Sequence, residues 1–288
     1  MEPIKIEIMK IVVSNDHTKK YYFKTESQTA SHIEACLLHL SRYGHIICVS
    51  SQIGCPQKCK FCAAGNSTYI RNLSSFEIQE QIRLVVEDNP TLATDKFQVT
   101  YMGSGEPLIN YKNVFDSLDN IRIRFPNLEK ANLSTTCPSA ARQCFDTIDW
   151  KKYDGFLHFQ YSLHFTQDVM RCRYLSPQLM KISEAIGYLN RISLLLNDTY
   201  KINYIPFEQI NDSLEQVEEL KSIMDTTQNA ILKISTMCEI NGCHLSPSRA
   251  FGQFASCAGK TIENVQVFSS DGTDISAGCG QFYNESVL

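Results

Sequence analysis

The sequence lacks any apolar run approaching the roughly 18 residues that a membrane-spanning helix requires. Its first residues, MEPIKIEIMKIVV, alternate like a strand and lack the basic start and cleavage site of a secretory signal. Glycine and proline are sparse, 13 and 9 of 288 residues, and there is no internal repeat or low-complexity tract. This composition argues against disordered and fibrous folds. We therefore expect a soluble, cytoplasmic protein with no membrane partner.

An excess of positive charge is also missing, since 27 Lys and Arg residues stand against 31 Asp and Glu residues, a net charge of −4. Dedicated nucleic-acid binders are usually basic, because contacts to phosphates supply much of their affinity. The net negative charge does not exclude an RNA substrate, but it gives no support for RNA binding. The 12 cysteines are too few for a disulfide scaffold of this length, so their spacing is more informative than their number.

Strand and helix patterns alternate along the chain from residue 45 onward. The predicted strands are 45–50, 97–102, 131–135, 156–164, 202–207, 231–236 and 265–268. The predicted helices are 75–87 (with Ser75 as its N-cap), 111–125, 138–148, 179–192, 213–223 and 248–257. This alternation predicts an α/β fold with a parallel sheet and helices outside it. Its length fits an open barrel of six strand–helix units, a partial (β/α)6 barrel, better than a closed barrel of eight.

The first 40 residues predict strands at 4–13 and 20–24 with a short connection. We therefore divide the chain into an N-terminal β-strand extension, residues 1–40, and a barrel core with a C-terminal tail, residues 41–288. Ligands of parallel sheets bind at the carboxyl ends of the strands. The cysteine loop after the first barrel strand and the glycine-rich turn after the second both fall at that edge.

Cys55, Cys59 and Cys62 form one tight trio with the spacing CxxxCxxC. A zinc site commonly has four ligands in two separated pairs, and no second pair follows here. A four-iron cluster normally takes four cysteines, so three leave one iron open to a small ligand. S-adenosylmethionine can chelate that iron and, once reduced, yields a 5′-deoxyadenosyl radical. The spacing is the radical SAM signature; zinc and unrelated buried cysteines are the alternatives.

The turn Gly103-Ser104-Gly105-Glu106-Pro107 follows the second barrel strand. A glycine-rich turn leaves its backbone groups bare, and the carboxylate of Glu106 can accept a hydrogen bond from a substrate ammonium. Such a turn ends many strands and is a weak motif alone. Its place next to the cysteine loop matches the position where radical SAM folds bind the methionine amino group, which predicts cofactor binding by Gly105 and Glu106.

Further motifs are spread along the chain: CVSSQIGC (48–55), RNL (71–73), MGSGEPL (102–108), NLST (132–135), SLH (162–164) and DISAGCGQF (274–282), and, upstream, KYYFKTESQTASHIEA (20–35). Together they resemble one radical SAM family, the RlmN/Cfr-type RNA adenine methyltransferases, and the upstream segment is similar to the family's strand pair. The resemblance covers residues 20–282. The first and last of these cysteine-containing segments make the resemblance highly specific.

The resemblance implies a mechanism in which one S-adenosylmethionine methylates Cys279 and a second supplies the radical that activates this methyl group. The carbon radical adds to an sp2 amidine carbon of adenine, and Cys48 then helps to remove the ring proton and forms a disulfide with Cys279, which releases the methylated product. An amidine carbon is electron-poor and cannot attack an ordinary methyl donor, so a radical held on the protein avoids that obstacle and supplies proximity. Without the resemblance, Cys48 would be interpreted as core packing and Cys279 as a buried thiol.

The resemblance also implies roles for residues outside the cysteines. Ser134, Ser162, Leu163 and His164 would contact S-adenosylmethionine, and Glu34 falls where the family has a proton acceptor. It further implies a flavodoxin-like or ferredoxin-like electron donor and a monomeric enzyme. Seven cysteines match no family position, and we expect core or surface thiols there: Cys36, Cys137, Cys144, Cys172, Cys238, Cys243 and Cys257.

Three departures from the family concern the substrate. The match begins near residue 20, so we expect the family's RNA-binding helical N-terminal domain to be missing. Residues 269–272, SSDG, replace a basic stretch, and residues 234–239 lack the family's asparagine that touches S-adenosylmethionine. Three hypotheses remain: methylation of RNA, the same reaction on a free nucleotide or other adenine-containing small molecule, and a non-catalytic 4Fe-4S protein with this fold.

Overall fold

The computed structural model of the chain describes residues 6–25, 32–40 and 44–283. Within these residues the strands form one ten-stranded sheet and a separate two-stranded pair. In chain order they are β1 Ile6–Val13, β2 Lys19–Thr25, β3 His32–Leu40, β4 Gly44–Cys48, β5 Gln52–Ile53, β6 Arg71–Asn72, β7 Phe97–Tyr101, β8 Leu128–Thr135, β9 Leu157–Ser162, β10 Tyr200–Tyr204, β11 Ala230–Ser235 and β12 Val265–Phe268.

Helices occupy the connections between the parallel strands. They are α1 Ala63–Asn66, α2 Ser75–Asp88, α3 Tyr111–Arg124, α4 Ala141–Thr147, α5 Asp168–Tyr174, α6 Ile182–Leu195, α7 Leu214–Met224 and α8 Phe251–Thr261. Short 3-10 turns cover Pro90–Ala93, Trp150–Tyr153 and Thr273–Ile275. Within the described residues, no helix is long and apolar enough to cross a membrane.

The large sheet keeps its strands in chain order, with β5 and β6 apart as an antiparallel pair. β1 to β4 pair antiparallel, and β4 followed by β7 to β12 pair parallel. Parallel neighbours require crossovers, which the helices supply, so all the parallel strands end at the same edge. The predicted α/β fold with a parallel sheet is confirmed. No pairing joins β1 to β12 across the described strands, so the barrel is open.

Several element boundaries differ from those predicted. Ser74, not Ser75, caps α2: its hydroxyl accepts from the Glu77 backbone N–H, and the Glu77 carboxylate accepts from the Ser74 N–H at 2.9 Å. This reciprocal capping box places the N-cap one residue earlier than expected. The final helix begins at Phe251 rather than residue 248. The short helix α5 was not predicted from the sequence pattern.

The core lies between the sheet and the surrounding helices. Apolar residues on the inner faces of the helices are buried, including Ile82 of α2, Leu118 of α3, Leu189 of α6 and Leu220 of α7. Along the parallel strands, apolar residues of the core alternate with polar residues, as in β7, where Val99 is buried in the core and Gln98 lines a cavity. The predicted division after residue 40 falls between β3 and β4, which are hydrogen-bonded neighbours in one sheet.

The segment after β12, residues 269–283 (hereafter the tail), joins the two ends of the open sheet. It leaves β12 and packs against the strands at the opposite end. Gly272 N–H donates to Asp16 Oδ2 at 2.7 Å, and Lys20 Nζ of β2 donates to the Ser276 carbonyl at 2.8 Å. The tail therefore crosses the opening that a closed barrel would fill with strand pairing, and its path is set by hydrogen bonds to the N-terminal strands.

Candidate active site

Three cysteines of the loop between β5 and α1 line one cavity, hereafter the cluster cavity, at the carboxyl ends of the parallel strands. Cys55 and Cys59 are buried, and Cys62 is half-buried at the N-cap of α1. Cys62 N–H donates to the Cys59 carbonyl at 3.1 Å, which turns the chain so that both thiols reach the cavity. The structure thus brings together the three thiols that the spacing predicted would converge.

The loop is held against two other parts of the molecule. A Cβ added at Gly65 would lie 2.7 Å from the Cys59 carbonyl oxygen, so only glycine lets α1 pack this closely on the loop. On the other side, Ala63 N–H donates to the Gly280 carbonyl at 2.8 Å. The tail is therefore hydrogen-bonded to the cysteine loop itself.

The placement of the thiols bears on which metal group they can hold. Within the described part of the chain, no three Cys, His, Asp or Glu side chains are close enough to share one metal ion. Zinc needs all its ligands on one atom, whereas the cysteines of a four-iron cluster bind different irons and stand farther apart. Burial raises the pKa of Cys55 and of Cys59, and metal binding is what stabilises such thiols as thiolates. The trio fits an iron–sulfur cluster better than zinc.

Glu106 presents a buried carboxylate beside this cavity. Its Oε2 accepts from the N–H and the hydroxyl of Thr136, both at 2.8 Å, and its Oε1 accepts from Leu108 N–H at 3.2 Å. Burial nevertheless raises the pKa of this carboxyl, because these hydrogen bonds do not fully offset the loss of hydration. A cationic ammonium in the cavity would stabilise its ionised form, so the group is suited to recognise one.

The turn that carries Glu106 needs glycine at residue 105. Gly105 has φ of +111°, and a Cβ there would lie 2.7 Å from Cβ of Gln52. The same Gln52 accepts from Glu106 N–H through Oε1 at 2.8 Å. The glycine therefore allows the turn to press against the start of the cysteine loop, which fixes Glu106 relative to the three thiols.

A chain of polar side chains crosses the ends of the neighbouring strands. Ser134 of β8 and Ser162 of β9 have their hydroxyl oxygens 3.1 Å apart, and Gln160 Nε2 donates to the Ser134 hydroxyl at 3.1 Å. Lys233 of β11 donates from Nζ to Gln160 Oε1 at 3.1 Å. Both serines line the cluster cavity, and their role as cofactor contacts stays a prediction. The arrangement places hydroxyl groups where a polar ligand can exchange hydrogen bonds with them.

His164 and Leu163 follow β9, but only His164 lines the cluster cavity. The His164 ring lines the cluster cavity and packs edge-on against Phe61, with ring centroids 5.0 Å apart. Its Nδ1 is buried without a hydrogen-bond partner in the described residues, and burial lowers the pKa of His164 to about 3. The ring is therefore neutral and free to bond a ligand. Leu163 is fully buried and does not line that cavity.

Cys279 lies in the tail and lines the cluster cavity together with the three loop cysteines. The residue is exposed. Loss of hydration around the sulfur raises the pKa of Cys279 to about 12. The nearby Cys238 raises this pKa further, whereas the positive charge of Lys233 lowers it. The resting group is a thiol, and the Lys233 ammonium is placed to stabilise the thiolate that forms when it reacts.

Cys48, the last residue of β4, lines a second cavity that adjoins the first, hereafter the thiol cavity. Cys279 lines both cavities, so the two predicted catalytic cysteines face a shared space. Cys48 is buried, 7% exposed. Cys36 of β3 lines the thiol cavity too, although the sequence gave no reason to place it near the site.

Glu34, the predicted proton acceptor, does not line either cavity. Its carboxylate is buried and pairs with Lys20 Nζ at 3.1 Å and with His32 Nε2 at 2.8 Å. It also accepts from Tyr283 N–H of the tail at 3.1 Å. These contacts support a role in anchoring the tail that carries Cys279.

Three contributors to the site were not predicted. Asn203 is the penultimate residue of β10; it lines both cavities and accepts from the Ser235 hydroxyl at 2.6 Å. A signal for it existed, because it is a polar residue near the end of a buried parallel strand, as Ser134 is. Cys238 follows β11 and lines the cluster cavity. Arg171 of α5 donates to the carbonyls of Thr136, at 2.7 Å, and Leu163, which ties two strand ends together. No local pattern marks such an arginine.

Comparison with protein-family models finds no match. Curated relatives do match: a probable dual-specificity RNA methyltransferase RlmN of Streptococcus pyogenes is 30% identical over 297 residues, covering 100% of this chain and 80% of the relative. A protein of the same description from Pseudothermotoga lettingae is 27% identical, covering 98% of this chain and 80% of that protein.

Solved structures share the fold. A radical SAM methyltransferase from Sphaerobacter thermophilus superposes with a TM-score of 0.86 at 23% identity, covering 97% of this chain and 82% of that one. SuiB of Streptococcus suis superposes with a TM-score of 0.54 at 14% identity, covering 81% and 50%. Because a 30% identical relative aligns with the whole length of this chain, the chain belongs to the RlmN family and is a radical SAM methyltransferase.

Proposed function

We propose that this enzyme methylates an sp2 amidine carbon of adenine in RNA through a methyl group carried on Cys279. The observation that carries the proposal is the position of Cys279: though more than 200 residues from the cysteine loop, it lines the same cavity as Cys55, Cys59 and Cys62. A methyl carrier must reach both the methyl donor and the source of the radical, and a shared cavity supplies that proximity.

Cys55, Cys59 and Cys62 would hold a 4Fe-4S cluster, and Glu106 would accept from the amino group of S-adenosylmethionine. Gly105 leaves the turn open to the ligand, while the hydroxyls of Ser134 and Ser162 and the neutral His164 ring supply further hydrogen bonds. When bound, the reduced cluster and S-adenosylmethionine would supply the radical chemistry that activates the S-methyl group on Cys279. A flavodoxin-like or ferredoxin-like protein would deliver the electron, and the enzyme would act as a monomer.

Cys279 would carry the methyl group, and Cys48 would release the product from Cys279. The Cys279 sulfur attacks a sulfonium methyl group, and the ammonium of Lys233 stabilises the thiolate that this attack requires. After the carbon has bonded to the base, the adduct must lose the ring proton, which Cys48 would help remove, and one electron, which the cluster would take back. The bond from the added carbon to Cys279 must then break. Cys48 faces the same thiol cavity and forms a disulfide with Cys279 as the product leaves. Glu34 stays a prediction as a proton acceptor; its contacts support tail anchoring instead.

RNA is favoured over a free nucleotide because the relatives are named RNA methyltransferases. A third cavity shares Lys233, Gln160, Thr100 and Phe268 with the thiol cavity and is also lined by Lys130 and Lys201. These lysines suit a phosphate-bearing substrate, which RNA and a nucleotide both are, although the net charge of the chain is −4.

The test uses cluster-loaded protein under anaerobic conditions with S-adenosylmethionine, a reductant and transcribed ribosomal and transfer RNA. Digested RNA is expected to contain a methylated adenosine, and the peptide carrying Cys279 is expected to gain one methyl group. Cys279→Ala should abolish both signals. Cys48→Ala should accumulate protein joined covalently to RNA, because the carbon–sulfur bond cannot be resolved.

Cys172→Ala is the matched control, because Cys172 is exposed on α5 and lines none of these cavities. It should methylate RNA at the wild-type rate. Parallel reactions with adenosine and ATP test the small-molecule alternative. Methylation of these compounds but not of RNA would overturn the substrate, and an unmodified Cys279 in an enzyme that methylates RNA would overturn the carrier mechanism.

A further inference from the structure

Cys36 and Cys48 lie directly opposite each other on the antiparallel strands β3 and β4. Residues that face each other in this way have Cα atoms about 4.5 or 5.5 Å apart, within the range of about 4.4–6.8 Å that a disulfide spans. Both side chains are buried, at 1% and 7% exposure. Hydrogen bonding to Cys36, together with burial, raises the pKa of the Cys48 thiol. The two thiols are therefore in contact.

The same pair faces the methyl-carrying tail. Cys36 Sγ lies 3.9 Å from the carbonyl oxygen of Ala277, two residues before Cys279. Ala277 and Phe282 of the tail pack with Cys36 and Cys48 in one buried cluster. All three cysteines line the thiol cavity. Cys48 thus has a possible disulfide partner on each side: Cys279 on the tail and Cys36 on the adjacent strand.

We propose that Cys36 is a third redox thiol that resolves the Cys48–Cys279 disulfide. The inference rests on the proposed function, because that reaction forms this disulfide. Its consequence is that the enzyme recovers a free Cys279 without a reductant having to reach the tail.

The step is a thiol–disulfide exchange in which electrons balance. The Cys36 thiolate attacks Sγ of Cys48, the Cys36–Cys48 bond forms, and the Cys48–Cys279 bond breaks. Cys279 leaves as a thiolate and takes up the proton that Cys36 lost, so the exchange is redox-neutral. The two oxidising equivalents then reside in the β3–β4 pair, from which an external dithiol reductant removes them before the next cycle.

The position of Cys279 explains why this exchange would help the enzyme. Cys279 lines the cluster cavity as well as the thiol cavity and must be free to accept the next methyl group. A disulfide at Cys279 would occupy it, whereas a disulfide between β3 and β4 leaves it available. Cys238 is the rival partner, since its Sγ would lie 2.9 Å from a Cβ built at Gly278, next to Cys279. Cys238 lies on the loop after β11 and does not line the thiol cavity.

Disulfide mapping on the anaerobic, cluster-loaded protein tests the proposal. The protein is equilibrated in a buffer of oxidised and reduced glutathione, quenched with acid, labelled with N-ethylmaleimide and digested with trypsin. Cleavage places Cys36, Cys48 and Cys279 on three different peptides, 25–42, 43–58 and 261–288. The expected result is a 25–42 to 43–58 link, assigned to Cys36 and Cys48 by fragmentation, with Cys279 labelled.

Variants separate the possible partners. Cys36→Ser should lose that link and show Cys48 joined to Cys279, whereas Cys238→Ser should keep the wild-type pattern. Cys257→Ser is the control on α8, where Cys257 lines none of these cavities, and should also keep it. Wild-type protein that accumulates Cys48–Cys279 or Cys238–Cys279 with Cys36 labelled would overturn the proposal.

This result is independent of the methyl-carrier role. Methylation of Cys279 is read on peptide 261–288 after incubation with S-adenosylmethionine and without oxidant. If Cys279 is methylated but Cys36 never links to Cys48, only the third-thiol proposal fails. If the link forms but Cys279 is never methylated, the proposed function fails, and with it the disulfide that Cys36 was inferred to resolve.

Discussion

Lys20 and Glu34 form an ion pair in which neither side chain is exposed, with Nζ and Oε2 3.1 Å apart. Each partner also bonds the tail, Lys20 through the carbonyl of Ser276 and Glu34 through the N–H of Tyr283. The Lys20 ammonium lies over the Phe282 ring as well, 5.5 Å from its centroid. Two strands near the N-terminus therefore hold the segment that positions Cys279.

Replacing one partner of this pair should be far more damaging than replacing both. Glu34→Leu leaves the Lys20 ammonium buried without a counter-charge, which costs about 3–5 kcal/mol. The double variant Lys20→Met/Glu34→Leu removes both charges and should recover much of that loss. Urea unfolding of the cluster-free proteins measures the difference. Equal losses in the single and double variants would show that the loss does not come from an unpaired Lys20 charge.

Glycine at residue 105 is expected to be indispensable for local geometry. Gly105→Ala places a Cβ 2.7 Å from that of Gln52 at a positive φ, which should cost about 1–3 kcal/mol and weaken S-adenosylmethionine binding. Gly187→Ala is the control, because Gly187 lies within α6 with no atom near its added Cβ. It should stabilise the protein by roughly 0.5–1 kcal/mol. Thermal unfolding and equilibrium dialysis measure the two effects.

The convergence of the loop cysteines, Glu106 and the two serines could be predicted because parallel strands end at one edge of a sheet. The position of a motif that follows a strand can therefore be predicted once the alternation of strands and helices is recognised. Cys55 and Ser134 illustrate this, since they are far apart in sequence but line one cavity. The strand pattern and the motif spacing were sufficient for that part of the site.

Features that depend on long-range register could not be predicted. Cys36 faces Cys48 only because of the register in which β3 pairs with β4, and a shift of one residue would move one thiol to the other face. Glu34 bonds Tyr283 of the tail, a residue 249 positions away in the chain, and no local pattern indicates that contact. Arg171 joins the carbonyls of two strand ends from a helix whose sequence, DVMRCRY, shows no unusual pattern.

The carboxylate of Glu106 is expected to provide much of the affinity for S-adenosylmethionine. Glu106→Gln keeps the side-chain volume but removes the charge, and a charge-assisted hydrogen bond is worth about 1.5–3 kcal/mol, or roughly 10- to 100-fold in Kd. Equilibrium dialysis with cluster-loaded protein measures it. Glu129→Gln, on the exposed part of β8, should leave the Kd unchanged. An unchanged Kd in Glu106→Gln would contradict the role of Glu106 in binding the cofactor.

The contact between Asp16 and the tail should make stability depend on pH in the acidic range. Partial burial opposes ionisation of Asp16, but N–H donors from Gly272 and Thr18 outweigh it and lower its pKa from 3.8 to about 2. A lowered carboxyl pKa stabilises the folded state above pH 3.8, and this contribution is lost as the pH falls towards about 2.

Asp16→Asn removes this titration while keeping one acceptor oxygen. The wild type should therefore be more stable than Asp16→Asn at neutral pH, and the difference in the free energy of unfolding should shrink as the pH falls below 3.8. Urea unfolding of the cluster-free proteins at a series of pH values measures it, with Asp116→Asn on α3 as the exposed control. A difference that stays constant across this range would mean that the Asp16 charge does not hold the tail. In that case the anchoring of Cys279 would rest on Lys20 and Glu34.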